Sequence, residues 1–471
     1  MILEQYYTKC LAQGTYYISS NGEAAIIDPL REVQQYIDRA EQDDVTIKYI
    51  FLTHFHADFV SGHVDLADKT GATIVIGPNA VTSYAFAKAK HLQTFKIGGI
   101  SLQLLHTPGH TMESSCYLLR DEQGKEQAIF TGDTLFIGDV GRPDLAAKSE
   151  LSVDDLAGHL YDSLRDLILP LPDHIIVYPA HGAGSACGKN MSEETSDTLG
   201  NQKKTNYALA LSLSKEDFIK ELTTGIAPPP AYFPKNVWMN KGVNSSIDEV
   251  ISRGITPLKL AAFKALSEDP EYLVLDVRSP QEYTAGSIPG SWFIGLDGQF
   301  APWVGSLIEN IDQKIILITP EGREKETVTR LARVGYDNAQ GYLMGGFSTW
   351  KASGLTISSI DNITAQGFID GLEDGSIKNP IDTRRPGEYE SGHICSVPLH
   401  TLDLVLEKVQ NLNTEKTYHI HCAGGYRSVI FSSIAKANGI KHAVNVEGGF
   451  GAIKKTNLKN QKIVATSNCS L

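Results

Sequence analysis

Six residues, Thr53-His54-Phe55-His56-Ala57-Asp58, constrain this chain more than any other stretch. They follow the apolar run 47–52, which reads as a buried strand, and precede an expected helix over 59–70. Two imidazoles and a carboxylate at the mouth of a strand form a metal-ligand cluster. A lone loop histidine would read as an ordinary hydrogen-bonded side chain; two with an aspartate do not.

The same unit recurs downstream. Residues 102–105 lead into His106-Thr107-Pro108-Gly109-His110, and 128–130 into Thr131-Gly132-Asp133. Residues 175–178 lead into Pro179-Ala180-His181-Gly182. Strands that each end in a polar ligand are how a packed sheet holds a metal at its rim. His106 lies four residues before His110, but Pro108-Gly109 forbids the helix that would put both on one face, so His106 reads as a strand-end residue. Cys187 falls near the expected pocket mouth and reads as a buried structural thiol.

At 471 residues the chain is too long for one core and suggests about three domains. It is 42% hydrophobic and 21% charged, so all of it should be globular. A net charge of −13 with no basic block argues against nucleic acid and against an anionic membrane surface. No apolar run approaches the roughly 20 residues of a spanning helix. The N-terminus shows no signal-peptide pattern. Six scattered cysteines with no CxxC pair fit a reducing cytoplasm without disulfides.

Residues 1–242 alternate strand-like and helix-like segments, with Ser152 an expected cap for a helix over 153–169 and 192–222 reading as helical. Ala227-Pro228-Pro229-Pro230 breaks structure, and 232–242 reads as a tail or linker. Two further units, 254–356 and 362–458, repeat one plan at an offset of about 106 residues, as from Asp276 to Asp382. The later one carries His421-Cys422-Ala423-Gly424-Gly425-Tyr426-Arg427-Ser428 between a strand and an expected helix over 429–438. A thiol in a glycine-rich turn at a helix N-terminus sits among backbone N–H groups, which favour an anion or thiolate. The earlier unit has Thr319-Pro320-Glu321-Gly322-Arg323-Glu324 there, with no sulfur and two carboxylates.

The set THFHAD, TPGHT, TGD and PAHG resembles the metallo-β-lactamase fold, an αβ/βα sandwich. Within it, thioester hydrolases of the glyoxalase II kind carry HxHxDH; here Phe59 replaces the last histidine, which implies one metal rather than two. The loop Gly138-Asp139-Val140-Gly141-Arg142-Pro143-Asp144 is similar to that of the persulfide dioxygenases. That resemblance implies one Fe(2+) per chain on His54, His110 and Asp133, with His56, Asp58 and His181 as orienting neighbours and Arg142 on the substrate's carboxylate end. The two repeats resemble rhodanese domains, through D-x-R, E-Y, G-[SH]-I and a closing G-G-F. The first is expected to be inactive. The second is expected to be active through Cys422, with Gly424, Gly425 and Arg427 binding substrate. The whole α/β chain thus resembles the bacterial persulfide dioxygenase–rhodanese fusions of the CstB type.

The resemblance implies oxidation of a low-molecular-weight thiol persulfide by dioxygen to sulfite, and sulfane-sulfur transfer through Cys422 to give thiosulfate. It also implies a homo-oligomer, dimer or tetramer. Two alternatives stand beside it: a glyoxalase II-like thioester hydrolase with an appended sulfurtransferase, and a sulfur carrier or sensor.

Overall fold

The computed structural model describes residues 1–146, 151–189, 191–226, 228–457 and 463–465. The expected chain break at Ala227, the boundary at Leu458 and Cys469 lie outside the described residues. The chain forms two compact units, Met1–Ile247 with Ala332–Gly335, and Asp248–Leu331 with Tyr336–Leu471.

The first unit is built on two six-stranded sheets. One runs in spatial order Ile2–Thr8, Gln13–Ser20, Glu23–Ile27, Thr46–Phe51, Thr73–Ile76, Ala87–Lys88. The other runs Asp197–Thr198, Ile176–Pro179, Glu126–Gly132, Ser115–Arg120, Ile100–His106, Thr94–Ile97. Asn21-Gly22 makes the tight hairpin between the second and third strands, with positive φ at both residues, as such turns need. The inner faces share one core that includes Tyr16, Ile18, Phe51, Leu102, Tyr117 and Phe130. Each outer face carries helices: Tyr36 and Leu66 pack on one sheet, Leu156's neighbours Ala157, Leu160 and Leu164 on the other. Helix–sheet–sheet–helix layering follows because strands buried on both faces must be covered on both.

Several element boundaries differ from the sequence expectation. The helix expected from residue 59 begins at His63, because the four residues before it form a loop held by the Asn240 side chain. The helix after Ser152 is α-helical over Val153–Ser163 and continues as a wider π-turn over Leu164–Ile168; its cap is a reciprocal Ser152–Asp155 box. The stretch 192–222 is not one helix. It holds a short strand and the separate helices Leu199–Thr205 and Lys215–Thr223, the first ended where Asn206 turns its amide back onto the chain. The supposed linker at 232–242 is a helix, Phe233–Lys241, whose Phe233, Asn236 and Asn240 are buried.

The second unit contains the repeat. Its first sheet is parallel, in order Pro257–Leu258, Ala339–Leu343, Lys314–Ile318, Tyr272–Asp276, Trp292–Phe293. Its second is also parallel, in order Asp361–Ile363, His442–Val446, Thr417–His421, Pro380–Asp382. The repeated D-x-R shows why the plan recurs. Arg278 Nη2 donates to Asp276 Oδ2 at 2.6 Å and to the Gly286 carbonyl at 2.8 Å. Arg384 Nη2 makes the equivalent bonds to Asp382 Oδ2 at 2.7 Å and to the Gly392 carbonyl at 2.8 Å. These are buried ion pairs that pin a strand end to a following loop.

No helix among the described residues is long and apolar enough to cross a membrane. The expectation of a chain without disulfides is corrected at one position: exposed Cys395 is disulfide-bonded. Cys10, Cys116, Cys187 and Cys422 are free.

Candidate metal centre and cysteine loop

The strand-end loops of the two sheets in the first unit bring His54, His110 and Asp133 together, each buried, with ligand atoms within 4.8 Å of one another. Asp133 Oδ2 lies 3.4 Å from His110 Nε2 and 3.7 Å from His54 Nε2. A second group, His56, Asp58 and His181, is equally buried and equally close. Asp133 joins the two, with Oδ1 3.6 Å from His181 Nε2.

Three of the four imidazoles are oriented from behind. His54 Nδ1 is 3.0 Å from Thr53 Oγ1, His110 Nδ1 is 2.8 Å from the Arg142 carbonyl, and His181 Nδ1 is 3.3 Å from the Ala12 carbonyl. Fixing one ring nitrogen leaves the other turned to the centre, as metal ligation needs. Gly141 lets the Arg142 loop come that near: a Cβ there would meet the Asp133 carbonyl at 2.1 Å. Burial, and then the neighbouring imidazoles, push the His54 pKa well down, so it is neutral and able to ligate. Burial would lower His56 too, but Asp28, 3.1 Å from its Nε2, together with Asp58 and Asp133, outweighs that and raises it.

The donor set fits a divalent cation. Both carboxylate oxygens of Asp133, Asp58 Oδ1 and His181 Nε2 are buried with no hydrogen-bond partner. A buried group left that way costs about 1–3 kcal/mol, and more if charged. A metal would satisfy several at once. Phe59 is fully buried, its ring 4.3 Å from that of His56 and 6.5 Å from that of His181. An apolar ring thus fills space on the side of the second group.

Other expected residues fall as follows. Arg142 is buried, and its guanidinium is gripped by Asp144 through two 2.7 Å bonds and by the Ala186 carbonyl. Its carbonyl reaches the metal centre, 2.8 Å from His110 Nδ1. His106 Nε2 contacts the Met112 carbonyl at 2.9 Å, away from the cluster. Cys187 is closer in than expected, its Sγ within 4.8 Å of ligand atoms of Asp133 and His181, and burial pushes its thiol pKa well up.

Sequence reasoning missed two supports. Asp28 takes the Thr53 N–H at 2.9 Å and the Thr53 hydroxyl at 2.8 Å while facing His56. Asn240 donates to the carbonyls of His56 and Phe59, both at 2.8 Å, and accepts from the Ser61 N–H. Asp28 ends a strand before Pro29, a position that could have drawn notice; Asn240 is far away in sequence and gives no local signal.

In the second unit, Cys422 ends the strand Thr417–His421 and is buried. The helix expected from residue 429 begins at Tyr426, capped by Gly425 at φ +99°. Tyr426, Arg427 and Ser428 are therefore its first turn, whose N–H groups have no partner within the helix. Gly425 N donates to Cys422 Sγ at 3.0 Å. Gly424 has open space where a Cβ would stand. The Cys422 carbonyl is turned the other way and accepts from Phe450 N at 2.6 Å. Arg427 is bound to Glu388 through bonds of 2.6 and 2.7 Å, and Arg427 first, against burial, lowers the Glu388 pKa to about 2. In the earlier repeat, Glu324 Oε1 accepts from Gly322 N at 3.2 Å and from Thr319 Oγ1 at 3.3 Å. A carboxylate of the chain itself takes the place an incoming anion would need.

The metallo-beta-lactamase superfamily profile matches residues 9–181, and the rhodanese-like domain profile matches 259–353 and 364–456. Hydroxyacylglutathione hydrolase GloC of Haemophilus influenzae is 30% identical over 202 residues, 38% of this chain and 88% of that protein. A metallo-beta-lactamase crystal structure from Staphylococcus aureus is 32% identical, covers 73% of this chain and 98% of its own, and superposes with a TM-score of 0.64. ETHE1 from Myxococcus xanthus is 31% identical over 51% of this chain and all of that one, with a TM-score of 0.44. By its fold, the two profile matches and its likeness to GloC and to the Staphylococcus aureus structure, the chain belongs to the metallo-beta-lactamase superfamily and carries two rhodanese-like domains later in the sequence.

Proposed function

We propose that this chain is a persulfide dioxygenase joined to a sulfurtransferase, of the CstB-like kind. His54, His110 and Asp133 would hold one Fe(2+), which supplies one-electron chemistry toward dioxygen and a site for a persulfide sulfur. Two imidazoles and one carboxylate on one side leave other positions open. The single observation that carries this reading is Phe59 packed on His56, which puts a hydrocarbon ring where a second metal would need a ligand. The chain's own residues orient the imidazoles through Thr53, the Arg142 carbonyl and the Ala12 carbonyl, and keep bulk water out of a buried site.

The net reaction takes a thiol persulfide, dioxygen and water to the thiol, sulfite and protons. The outer sulfur is oxidised and dioxygen reduced. Cys422 then attacks the outer sulfur of a second persulfide. The old S–S bond breaks, the carrier leaves as thiolate, and a persulfide forms on Cys422. Sulfite attacks its outer sulfur, releasing thiosulfate and restoring the Cys422 thiolate. The Gly425 N–H and the first-turn amides of its helix favour the anionic sulfur at each stage. Glu324 in the earlier repeat blocks the same chemistry there.

A thioester hydrolase is the second reading, favoured by the closeness of His56, Asp58 and His181 and by the likeness to a hydroxyacylglutathione hydrolase. Oxygen-electrode measurements on iron-loaded protein separate the two. Persulfide-dependent oxygen uptake with thiosulfate as product, changing to sulfite in Cys422→Ser, is the expected result. Thioester cleavage without oxygen uptake would refute it.

A further inference from the structure

The two rhodanese-like domains lie in one compact unit, and a line of hydrogen bonds runs from the candidate sulfur of the later one into the earlier one. Ser428 Oγ lies 3.5 Å from Cys422 Sγ and 2.7 Å from Asn445 Oδ1. Asn445 Nδ2 donates to Asn362 Oδ1 at 2.9 Å, and Asn362 Nδ2 donates to Thr284 Oγ1 at 3.3 Å. The Thr284 hydroxyl donates to the Gln281 carbonyl at 3.2 Å. Ser428, Asn445 and Thr284 are buried.

Counting protons fixes the direction of this line. The one Thr284 proton is committed to a carbonyl, which can only accept. Thr284 therefore meets Asn362 as an acceptor and draws its amide NH2. That turns Asn362 Oδ1 to Asn445, which answers with its own NH2 and turns its Oδ1 to Ser428. The Ser428 hydroxyl lies between two acceptors, Asn445 Oδ1 at 2.7 Å and Cys422 Sγ at 3.5 Å, so the Asn445 carbonyl sets where that hydroxyl stands beside the sulfur. Gly425 N donates to the same sulfur at 3.0 Å.

A second tie runs in parallel. The Tyr426 hydroxyl donates to the Gly295 carbonyl at 2.7 Å, and a Cβ at Gly298 would stand 2.2 Å from the Tyr426 ring. Between the two ties is a cavity of about 380 Å³, lined by Gln281 and Thr284 from the earlier domain and by Gly424, Gly425 and Asn445 from the later one.

Resting on the reading of Cys422 as the sulfur carrier, we propose that Thr284 is a positioning residue for it. The domain without a cysteine thus orients the sulfur of its neighbour through Asn362, Asn445 and Ser428. The test is thiocyanate formation from thiosulfate and cyanide by the full-length protein, which needs no metal chemistry. Thr284→Val keeps the shape and removes the hydroxyl. It should lower kcat at least fivefold with KM for thiosulfate within twofold of wild type, while Thr284→Ser restores kcat to within twofold. Asn362→Ala, at an exposed position, should reproduce the kcat loss and guards against a Thr284→Val protein that fails to fold. Wild-type kcat in Thr284→Val and Asn362→Ala, or equal loss in Thr284→Ser, would overturn the proposal. Thiocyanate formation that survives Cys422→Ser would instead overturn the reading of Cys422 itself.

Discussion

At the scale of single residues, Asp133 has the strongest claim on a cation. Its two buried oxygens face three imidazoles and have no hydrogen-bond donor. Asp133→Asn keeps the shape and removes the charge, so metal content by elemental analysis should fall by more than about tenfold while the far-ultraviolet circular dichroism stays unchanged. Phe59 makes the opposite case. Phe59→His places an imidazole beside His56 and within reach of the Asp58–His181 side, and the metal-to-chain ratio should rise from one toward two. Glu388 gives a pH-dependent signature. Its folded pKa is depressed to about 2 from 4.5, so its stabilising pairing with Arg427 is fully present above 4.5 and lost as pH falls toward 2. Discounted for partial exposure, the pair is worth about 1 kcal/mol. Thermal melts of Glu388→Gln should lie below wild type at pH 7, with the gap narrowing as pH drops below about 4.5.

At the scale of elements, strand ends position ligands and helix starts position anions. The metal loops follow Thr46–Phe51, Ile100–His106, Glu126–Gly132 and Ile176–Pro179, all legible as apolar runs that stop at polar residues. The helix Gly449–Ile453 does a similar service for Cys422. Its Phe450 and Gly451 amides donate to the Cys422 and Ala423 carbonyls, which fixes the loop whose Gly425 N–H reaches the sulfur. Gly449 has φ +53°, and a Cβ there would stand 2.3 Å from the Cys422 carbonyl oxygen. Gly449→Ala should cost about 1–3 kcal/mol locally and cut thiocyanate formation at least tenfold, with iron content unchanged. At the histidine loop, where the pattern along the chain starts the helix too early, a distant side chain is the cause. Asn240 reaches the His56 and Phe59 carbonyls across nearly two hundred residues, and so holds as a loop what local pattern marks as a helix.

At the scale of the whole molecule, the proposed reaction needs two centres on one chain: sulfite made at one is consumed at the other. Covalent linkage raises the local concentration of acceptor around product without any new contact. Full-length Asp133→Asn and full-length Cys422→Ser each retain one centre. An equimolar mixture should release thiosulfate more slowly than wild type, pass through a transient of free sulfite, and gain rate with protein concentration. Wild type should show neither the transient nor the dependence.

The sequence alone displayed the strand-end ligands, the tandem repeat and the cysteine loop, each as a pattern along the chain: an apolar run that ends in a ligand, a plan repeated at a fixed offset, a thiol before a glycine turn. It implied the layered fold only through its resemblance to a known family. Only the tertiary structure decided that Arg142 and Arg427 are already paired, that Asp28 and Asn240 brace the histidine loop, and that Thr284 is hydrogen-bonded toward Cys422. The reason is physical. A buried polar atom must find its partner wherever the chain's packing brings one, and that partner's distance along the sequence leaves no mark in local periodicity.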